Sequence, residues 1–289
     1  MFINFNTYTS IPKIQIVAQY KIRQRGSFIK QVVNDLFEYL QIQDEPIIDP
    51  NRPVINYGLE VEPYIQQFTN DYYNHNETRH ISYSKVDFHK AFNHLDYIPN
   101  TVFNKNDTHK LKYPIIAKPA EGHSGEGIES FDTVTDISGN FDLYSEKKTI
   151  KREYRAIFFK DNIFLIYERI KQNDDFLYIE QDLNKINTEI LYNIDKDFKN
   201  LGFTQDFYAI DYIIDDKNKL WVLELNTGIG LGPNTLASLY KVIYEYEYGT
   251  LPSDISIYLE SIKERYHKQL YLAHFNDYRK SKTPLYYEN

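Results

Sequence analysis

Two apolar stretches, each with an acidic residue near its centre, constrain the fold of this chain more than any other feature. One reads FYAIDYII around Asp211, the other reads LWVLELN around Glu224, and the polar segment Asp215–Asn218 joins them. Apolar runs of strand length on either side of a short polar turn predict an antiparallel hairpin. A carboxylate in such a run is costly to bury unless a cation or a hydrogen-bond partner offsets its charge. The pattern favours a ligand site, and a pair of satisfied acids on the solvent face of a sheet is the alternative.

Three oxygen-bearing side chains of this hairpin suit a hard divalent cation. Side chains two residues apart on a strand share a face, so Glu224 and Asn226 should point the same way. If the hairpin places Asp211 beside them, three oxygen ligands converge. We therefore predict that these three residues hold one or two Mg²⁺ ions that bridge nucleotide phosphates, with Mn²⁺ as an alternative ion.

A glycine-rich segment earlier in the chain suits phosphate binding. It follows the predicted strand YPIIAK, which ends at Lys118, and it contains Gly122, Gly125 and Gly127. Glycines let the backbone approach closely, so amide N–H groups and the Ser124 hydroxyl can converge on phosphate oxygens beside the lysine. Because the lysine precedes the glycines and no helical pattern follows directly, the segment is neither a Walker A motif nor a dinucleotide fingerprint. A plain turn between strands is the alternative.

The composition excludes several classes of site. With no cysteine, the chain has no disulfide, no thiolate zinc site and no cysteine nucleophile. The 33 basic and 41 acidic residues give a net charge of −8, which argues against dedicated nucleic-acid binding. No secretory signal is recognised, and no apolar run approaches the ~18 residues that span a bilayer. We therefore expect a cytoplasmic protein without a membrane partner.

The spacing of apolar residues predicts a mixed fold of class α/β or α+β. Alternation predicts a strand over residues 11–20, and helical spacing predicts a helix over residues 27–40. A second hairpin is expected around Lys160–Asn162. Further predictions are a loop over residues 66–80, a helix from Ser84 that ends before Pro99, and helices over residues 236–249 and 255–275.

In this order, the motifs resemble those of the ATP-grasp superfamily, above all its carboxylate–amine ligases, typified by D-alanine–D-alanine ligase and glutathione synthetase. In such enzymes one lysine stands at the start of a lid subdomain and a second precedes the glycine-rich lid loop, as Lys85 and Lys118 do here. Two hinge acids seven residues apart bind the adenosine part of the nucleotide, and Glu146 and Glu153 match them. The resemblance covers residues 80–240.

The resemblance implies an ATP-grasp fold with ATP held between a lid and a C-terminal domain. Its three parts are an N-terminal substrate-side domain over residues 1–84, the lid over 85–150 and a metal-binding domain over 151–289. The final helices pack on that last domain or form a homodimer contact. The nucleotide-binding residues that the resemblance implies are Lys85, Lys118, Ser124, Gly125, Gly127, Glu146, Lys148, Thr149 and Glu153.

The chain departs from D-alanine–D-alanine ligases at two points. Those enzymes carry an arginine two residues before the first metal aspartate, where this chain has Ala209. Either Arg155 or Arg169, on the neighbouring hairpin, is therefore expected to act with Lys118 in catalysis by steadying the anionic intermediate. After Asn226 the chain reads TGIGLGPNT where those ligases have a proline–glycine turn, which argues against a D-alanine substrate.

The function that the resemblance implies is ATP-dependent ligation, with ATP and Mg²⁺ as cofactors. An acylphosphate formed on a small carboxylate would react with an amine, such as that of an amino acid or peptide. Two alternatives stay open: a kinase on the same scaffold that stops at a phosphorylated small molecule, and a nucleotide-binding regulator without catalysis. The presence of both lysines and all the metal ligands argues against the regulator, because adenosine recognition alone does not need them.

Overall fold

The computed structural model describes residues 12–19, 27–57, 61–120, 127–172, 175–228 and 232–281. These residues combine α-helices with three β-sheets, so the fold is of the expected α+β class. The chain divides into a terminal unit, Met1–Ile55 with Gly230–Asn289, and a central unit, Asn56–Ile229. The predicted boundaries at residues 84 and 150 stay a prediction. Among the described residues, no helix has both the length and the apolar character that crossing a membrane requires.

The first sheet of the chain has the strand order β2-β1-β3. The predicted strand over residues 11–20 is confirmed as β1. The helix predicted over residues 27–40 is wrong at its end, because Phe37 begins a strand that pairs in parallel with β1, opposite Ile14. The ladder satisfies backbone groups that a longer helix would have used, and it buries Phe37. The elements are β1 (Ile14–Ala18), α1 (Ser27–Leu36), β2 (Phe37–Gln41) and β3 (Val54–Tyr57).

The last two helices, α6 and α7, belong to the terminal unit and confirm the two helices predicted there. The Tyr240 hydroxyl donates to the Pro12 carbonyl at 3.0 Å, and the Tyr258 hydroxyl donates to Asp35 at 2.5 Å. These bonds connect the C-terminal helices to the segment before β1 and to α1 in the same unit. The helices are α6 (Pro233–Tyr248) and α7 (Ser253–Ser281).

Two antiparallel sheets form the central unit. The four-stranded sheet has the order β4-β7-β5-β6, and the five-stranded sheet has the order β10-β9-β8-β11-β12. Both predicted hairpins are confirmed, as the pairs β8–β9 and β11–β12. The strands are β4 (Thr101–Val102), β5 (Ile115–Lys118), β6 (Glu129–Phe131), β7 (Leu143–Glu146), β8 (Arg152–Phe159), β9 (Asn162–Gln172), β10 (Asp175–Glu180), β11 (Phe207–Ile214) and β12 (Leu220–Asn226).

Helices cover one face of the five-stranded sheet and form the main core with it. Phe88 and Phe92 of one helix and Phe198 of another pack with sheet residues such as Tyr208. The helix predicted from Ser84 ends early, at Phe92, where the Asn93 side chain bonds the backbone of β4 instead. The helices of this unit are α2 (Glu62–Ile65), α3 (Arg79–Tyr83), α4 (Lys85–Phe92) and α5 (Glu189–Asn200).

Candidate active site

The five-stranded sheet has one apolar face and one charged face. Along β8, Tyr154 and Ala156 belong to the core, whereas Glu153 and Arg155 alternate with them and point to the opposite face. On β11, Asp211 lies opposite Arg155 in the strand register. Alternation along the strands therefore collects predicted site residues of two neighbouring strands on one face.

An irregularity in β12 brings its acid to the same face. Asp211 pairs with Glu224, whereas the next residue of β11 pairs with Val222, so Leu223 has no partner opposite it. Such an extra residue is a β-bulge, and it shifts the alternation of side chains that follow. Val222 and Leu225 both belong to the core although they are three positions apart. Strict alternation would direct Glu224 into the core with Val222, and the bulge turns it towards Asp211.

Arg155 forms a bidentate ion pair with Asp211. The Arg155 guanidinium donates from Nε to Oδ1 and from Nη2 to Oδ2, both at 2.6 Å. Arg169 Nη1 lies 3.7 Å from the same Oδ2. Burial favours a raised pKa for Asp211, but the two arginines outweigh it and hold the pKa below its usual value. Asp211 is therefore an ionised carboxylate with both oxygens engaged.

Arg169 forms a second ion pair on this face, with Glu153. The two residues lie opposite each other on β8 and β9, and Arg169 Nη1 donates to Glu153 Oε1 at 2.5 Å. Burial raises the pKa of Glu153, Arg169 opposes the shift, and the nearby Asp211 carboxylate adds to it. Both arginines that the sequence left as candidates for anion stabilisation thus lie beside the predicted metal ligands.

Glu224 and Asn226 complete an oxygen-rich corner. Asn226 Nδ2 donates to Glu224 Oε1 at 3.4 Å. Burial, followed by the neighbouring Asp211 carboxylate, raises the pKa of Glu224 above its usual value. Two carboxylates crowded in this way attract a divalent cation, which would offset their repulsion. Within the described parts of the chain, no three His, Asp or Glu side chains cluster as a metal site, so Asn226 stays a predicted third ligand beside the two acids.

Two lysines approach this corner from other elements of the central unit. Lys118 ends β5 and is 8% exposed, and Lys85 begins α4. The Lys85 N–H donates to the Ala120 carbonyl at 2.9 Å, which ties the start of the helix to the segment after β5. Burial lowers the pKa of Lys118, Glu224 opposes the shift and Lys85 adds to it. Both lysines are therefore within electrostatic reach of Glu224.

The glycine-rich loop is described only at its end. Ser124 and Gly125 lie outside the described residues, as do Gly122 and His123. Gly127 has a φ of +70°, and a Cβ placed there would lie 3.2 Å from Pro119 Cγ. The left-handed backbone and this close approach both favour glycine.

A second cluster surrounds Glu146 at the end of β7. Its carboxylate accepts hydrogen bonds from Lys148 Nζ at 2.6 Å, Asn100 Nδ2 at 3.1 Å and the Lys112 N–H at 3.2 Å. Burial favours a raised pKa for Glu146, but these donors outweigh it and lower the pKa. Thr149 is exposed just beyond Lys148. The cluster therefore keeps Glu146, one of the two predicted hinge acids, ionised. It also positions the segment that leads to the other hinge acid, Glu153, on β8.

Trp221 connects this cluster to the five-stranded sheet. Its ring centroid lies 3.9 Å from Lys148 Nζ and 4.0 Å from Lys219 Nζ, and its Nε1 donates to Asp215 Oδ2 at 2.9 Å. Sequence reasoning missed Trp221 because strict alternation places it on the face opposite to Glu224. Only the bulge between them puts both on one face.

Sequence reasoning also missed a tyrosine and an arginine from segments that match no motif. Tyr57 ends β3, and the buried Arg79 begins α3. Burial raises the pKa of Tyr57, while the positive charges of Arg79 and then Arg155 oppose the shift. The phenol is therefore within electrostatic reach of both guanidinium groups. No signal in the sequence marked either residue.

The charges gathered at this corner suit a polyanion that carries a divalent cation. Although the chain has a net charge of −8, the cations here outnumber the acids. A local excess of positive charge attracts phosphate, and the paired acids supply the place for a metal. The cations are Lys85, Lys118, Arg155 and Arg169, and the acids are Glu153, Asp211 and Glu224.

Comparison by sequence gives no relatives, whereas comparison by structure does. No protein-family model matches the chain, and no curated protein matches it. The structure of N5-carboxyaminoimidazole synthetase from Staphylococcus aureus is 13% identical, with a TM-score of 0.57 over 83% of this chain and 78% of that chain. D-alanine–D-alanine ligase from Bacillus anthracis is 16% identical, with a TM-score of 0.55 over 89% of this chain and 100% of that chain. The ATP-grasp ligase PsnB with a minimal precursor is 11% identical, with a TM-score of 0.53 over 76% of this chain and 91% of that chain.

Proposed function

This chain has the ATP-grasp fold, and on that premise we propose that it is an ATP-dependent ligase that joins a carboxylate to an amine. The observation that carries the proposal is the approach of the buried Lys118 to Glu224, which lies directly opposite Asp211. A lysine and a pair of carboxylates at one corner supply what Mg²⁺-bound ATP requires, a cation for its phosphates and oxygens for its metal.

The donor set at the corner fits Mg²⁺. Carboxylate and amide oxygens are the ligands that this ion prefers. Burial, followed by repulsion from Asp211, raises the pKa of Glu224, and a cation would offset that repulsion. Asp211, Glu224 and Asn226 would hold one or two such ions, and Mn²⁺ suits the same oxygens. When bound, the metal supplies positive charge against the phosphate oxygens and helps to orient them. Related structures support this choice, because the S. aureus synthetase was solved with ADP and PsnB with Mg and ADP.

The rest of the nucleotide would lie along the residues that lead away from this corner. Glu146, Lys148 and Thr149 would contact the adenine, and Glu153 would accept hydrogen bonds from the ribose. Lys85 and Lys118 would face the phosphates together with Ser124, Gly125 and Gly127 of the glycine-rich loop. The charge state of Glu146 supports its role, because an ionised carboxylate accepts hydrogen bonds from an amino group.

The reaction would proceed in two steps. An oxygen of the substrate carboxylate attacks the γ-phosphorus, the bond to the bridging oxygen breaks, and ADP leaves with the electron pair. The amine then attacks the carbonyl carbon of the acylphosphate, loses a proton, and phosphate leaves as the amide forms. Lys118 balances charge on the transferred phosphoryl group, and Arg155 or Arg169 balances charge on the oxyanion. The glycine-rich loop would close over the phosphates and exclude water from the acylphosphate.

Substrates of this kind are small acids and amines, with amino acids and peptides first among them. The neighbours give no narrower choice, because a D-alanine ligase and a ligase solved with a precursor peptide match this fold about equally well. We also expect the reaction to take place in the cytoplasm. A homodimer through the last helices stays a prediction.

ADP release with Mg²⁺ and ATP against a panel of amino acids, small carboxylates, peptides and amines tests the proposed function, with products followed by mass spectrometry. We expect ADP release that requires both an acid and an amine, and a product whose mass is their sum minus one water. A single acceptor that gains a phosphoryl group would show a kinase instead. Tight ATP binding without turnover on the whole panel would favour a regulator.

A further inference from the structure

The ion pair between Arg155 and Asp211 occupies the atoms that a metal needs. Each Asp211 oxygen accepts one hydrogen bond of 2.6 Å from Arg155, and the carboxylate is 1% exposed. A cation approaching those oxygens meets a neutralised carboxylate with a guanidinium beside it. Metal binding to Asp211 and the present position of Arg155 therefore oppose each other.

Arg155 and Arg169 are paired with different acids, so metal binding to Asp211 would affect them differently. Arg169 has an acid of its own, Glu153, at 2.5 Å, and its distance to Asp211 is the longer 3.7 Å. Arg155 instead contacts the carboxylate that is a predicted metal ligand. When a metal takes Asp211, Arg155 is the arginine whose charge is released within the site. The other acids near Arg155 are Glu224, itself a predicted metal ligand, and Glu153, which Arg169 holds. The released guanidinium therefore requires another anion close by.

We propose that Arg155 couples metal binding to anion binding, by releasing Asp211 to the metal only when a phosphoryl or carboxylate anion takes its guanidinium. This inference rests on the proposed function, because the anion in question is the γ-phosphate or the acylphosphate that follows it. It also assigns the two arginines, which the sequence left open: Arg155 meets the transferred group, and Arg169 positions Glu153. The protein alone then binds metal weakly.

Metal binding without nucleotide tests the first half of the proposal. Mn²⁺ is titrated into the protein and followed by electron paramagnetic resonance, for the wild type, Arg155→Gln and Arg155→Lys. The matched control is Arg152→Gln, since Arg152 lies on the same strand with an exposed side chain 4.0 Å from Glu168. We expect Arg155→Gln to bind Mn²⁺ at least tenfold more tightly than the wild type, and Arg152→Gln to match the wild type. Arg155→Lys, which cannot hold both oxygens at once, should lie between them.

Nucleotides with and without a γ-phosphate test the second half. The same titration is repeated with ADP and with the non-hydrolysable analogue AMPPCP. In the wild type we expect AMPPCP to tighten Mn²⁺ binding at least tenfold more than ADP does, and this difference to disappear in Arg155→Gln. Each variant is first checked for a cooperative thermal transition, and Arg155→Lys serves for both halves if Arg155→Gln does not fold.

The following outcomes decide the proposal. Variants that bind Mn²⁺ alone no more tightly than the wild type would show that Arg155 does not occlude Asp211, and would overturn it. An AMPPCP effect that survives in the variants would overturn the link to the γ-phosphate. If the wild type binds no nucleotide, the proposed function fails and the coupling with it, whereas tight AMPPCP binding with an unchanged Mn²⁺ affinity in the variants removes the role of Arg155 alone.

Discussion

Glu224 lies directly opposite Asp211 on paired strands, and the β-bulge at Leu223 turns Glu224 to the face of the sheet that carries Asp211. The two acids nevertheless differ in environment. Asp211 has the Arg155 guanidinium on both oxygens, which lowers its pKa against the effect of burial. Burial and the neighbouring Asp211 raise the pKa of Glu224. The pKa values of these two acids are shifted in opposite directions. Replacing each carboxylate by its neutral amide should therefore change the stability of the protein in opposite directions.

The first prediction is that Asp211→Asn destabilises the metal-free protein and Glu224→Gln does not. Asparagine leaves Arg155 buried without its ionised partner, which costs about 3–5 kcal/mol. A carboxyl whose folded pKa is raised contributes stability below its unfolded pKa and loses it as pH rises through the folded pKa. Above its folded pKa the ionised Glu224 is therefore a cost, and Gln removes it. Thermal unfolding without metal should give a lower Tm for Asp211→Asn and an equal or higher Tm for Glu224→Gln.

Calorimetry separates this effect on stability from the role of Glu224 in binding. Glu224→Gln should weaken Mg²⁺–ATP binding by at least about tenfold, since one charged oxygen ligand is lost. Glu129→Gln, an exposed residue of β6, is the control and should leave the affinity unchanged. Unchanged affinity in Glu224→Gln would remove this residue from the metal site, whatever its effect on Tm.

The second prediction concerns Lys118, which is buried and has a lowered pKa because of that burial. Lys118→Met keeps most of the side-chain volume and removes the charge that faces Glu224. We expect ADP release to fall by about 100-fold or more, because one preorganised charge at a transferred phosphoryl group is lost. The Tm should not fall, because burying an ammonium is itself unfavourable.

Lys147→Met is the matched control for this measurement. Its exposed ammonium donates to Ser130 Oγ at 3.1 Å, on the four-stranded sheet that also carries Lys118. Lys147→Met should release ADP at the wild-type rate. Wild-type turnover in Lys118→Met would exclude the lysine from the mechanism, and a large fall in its Tm would mean that its role is structural.

The sequence predicted the strands of this site better than the direction of their side chains. Apolar runs and polar turns located both hairpins. The position of the bulge in β12 depends on how the strand packs, so alternation could not give the shared face of Trp221 and Glu224. Pairing of β1 with β2 likewise ends the first helix at Leu36, although the helical spacing of apolar residues continues to Leu40. The Arg155–Asp211 pair follows from cross-strand register, which local spacing does not define.

The third prediction uses Trp221, the one tryptophan of the chain, as a reporter of the nucleotide site. The Lys148 ammonium lies 3.9 Å from its ring centroid and also bonds Glu146. If the adenine contacts Glu146 and Lys148, that ammonium moves and the fluorescence of Trp221 changes. ATP should therefore shift the emission with a saturating dependence on concentration.

Two lysine variants distinguish this mechanism from a general change around the indole. Lys148→Ala should lose the response to ATP, whereas Lys219→Ala should keep it, although Lys219 also lies over the ring at 4.0 Å. Lys219 is exposed and donates to the Asp96 carbonyl at 2.7 Å, whereas Lys148 donates to Glu146. A response that persists in Lys148→Ala and is lost in Lys219→Ala would contradict the assignment of the adenine site.

The fourth prediction is that His89 makes the folded protein sensitive to acid. His89 is buried in α4, and burial, followed by the charge of Lys118, lowers its pKa to about 3. The Thr101 hydroxyl donates to the Pro99 carbonyl at 2.9 Å, so its oxygen, 3.0 Å from His89 Nδ1, accepts from that nitrogen. The ring should therefore be neutral with its proton on Nδ1, which ¹⁵N NMR of labelled histidine would show.

The folded pKa of His89 lies below the unfolded value of about 6.5, so its contribution to stability is present above that value and lost as pH falls towards 3. The free energy of unfolding should drop by up to about 1.4 kcal/mol for each pH unit in this window from His89 alone. His89→Gln should flatten that slope, whereas His109→Gln, at an exposed residue, should not. Chemical denaturation at a series of pH values measures the slopes, and equal slopes for wild type and His89→Gln would show that His89 is not the group responsible.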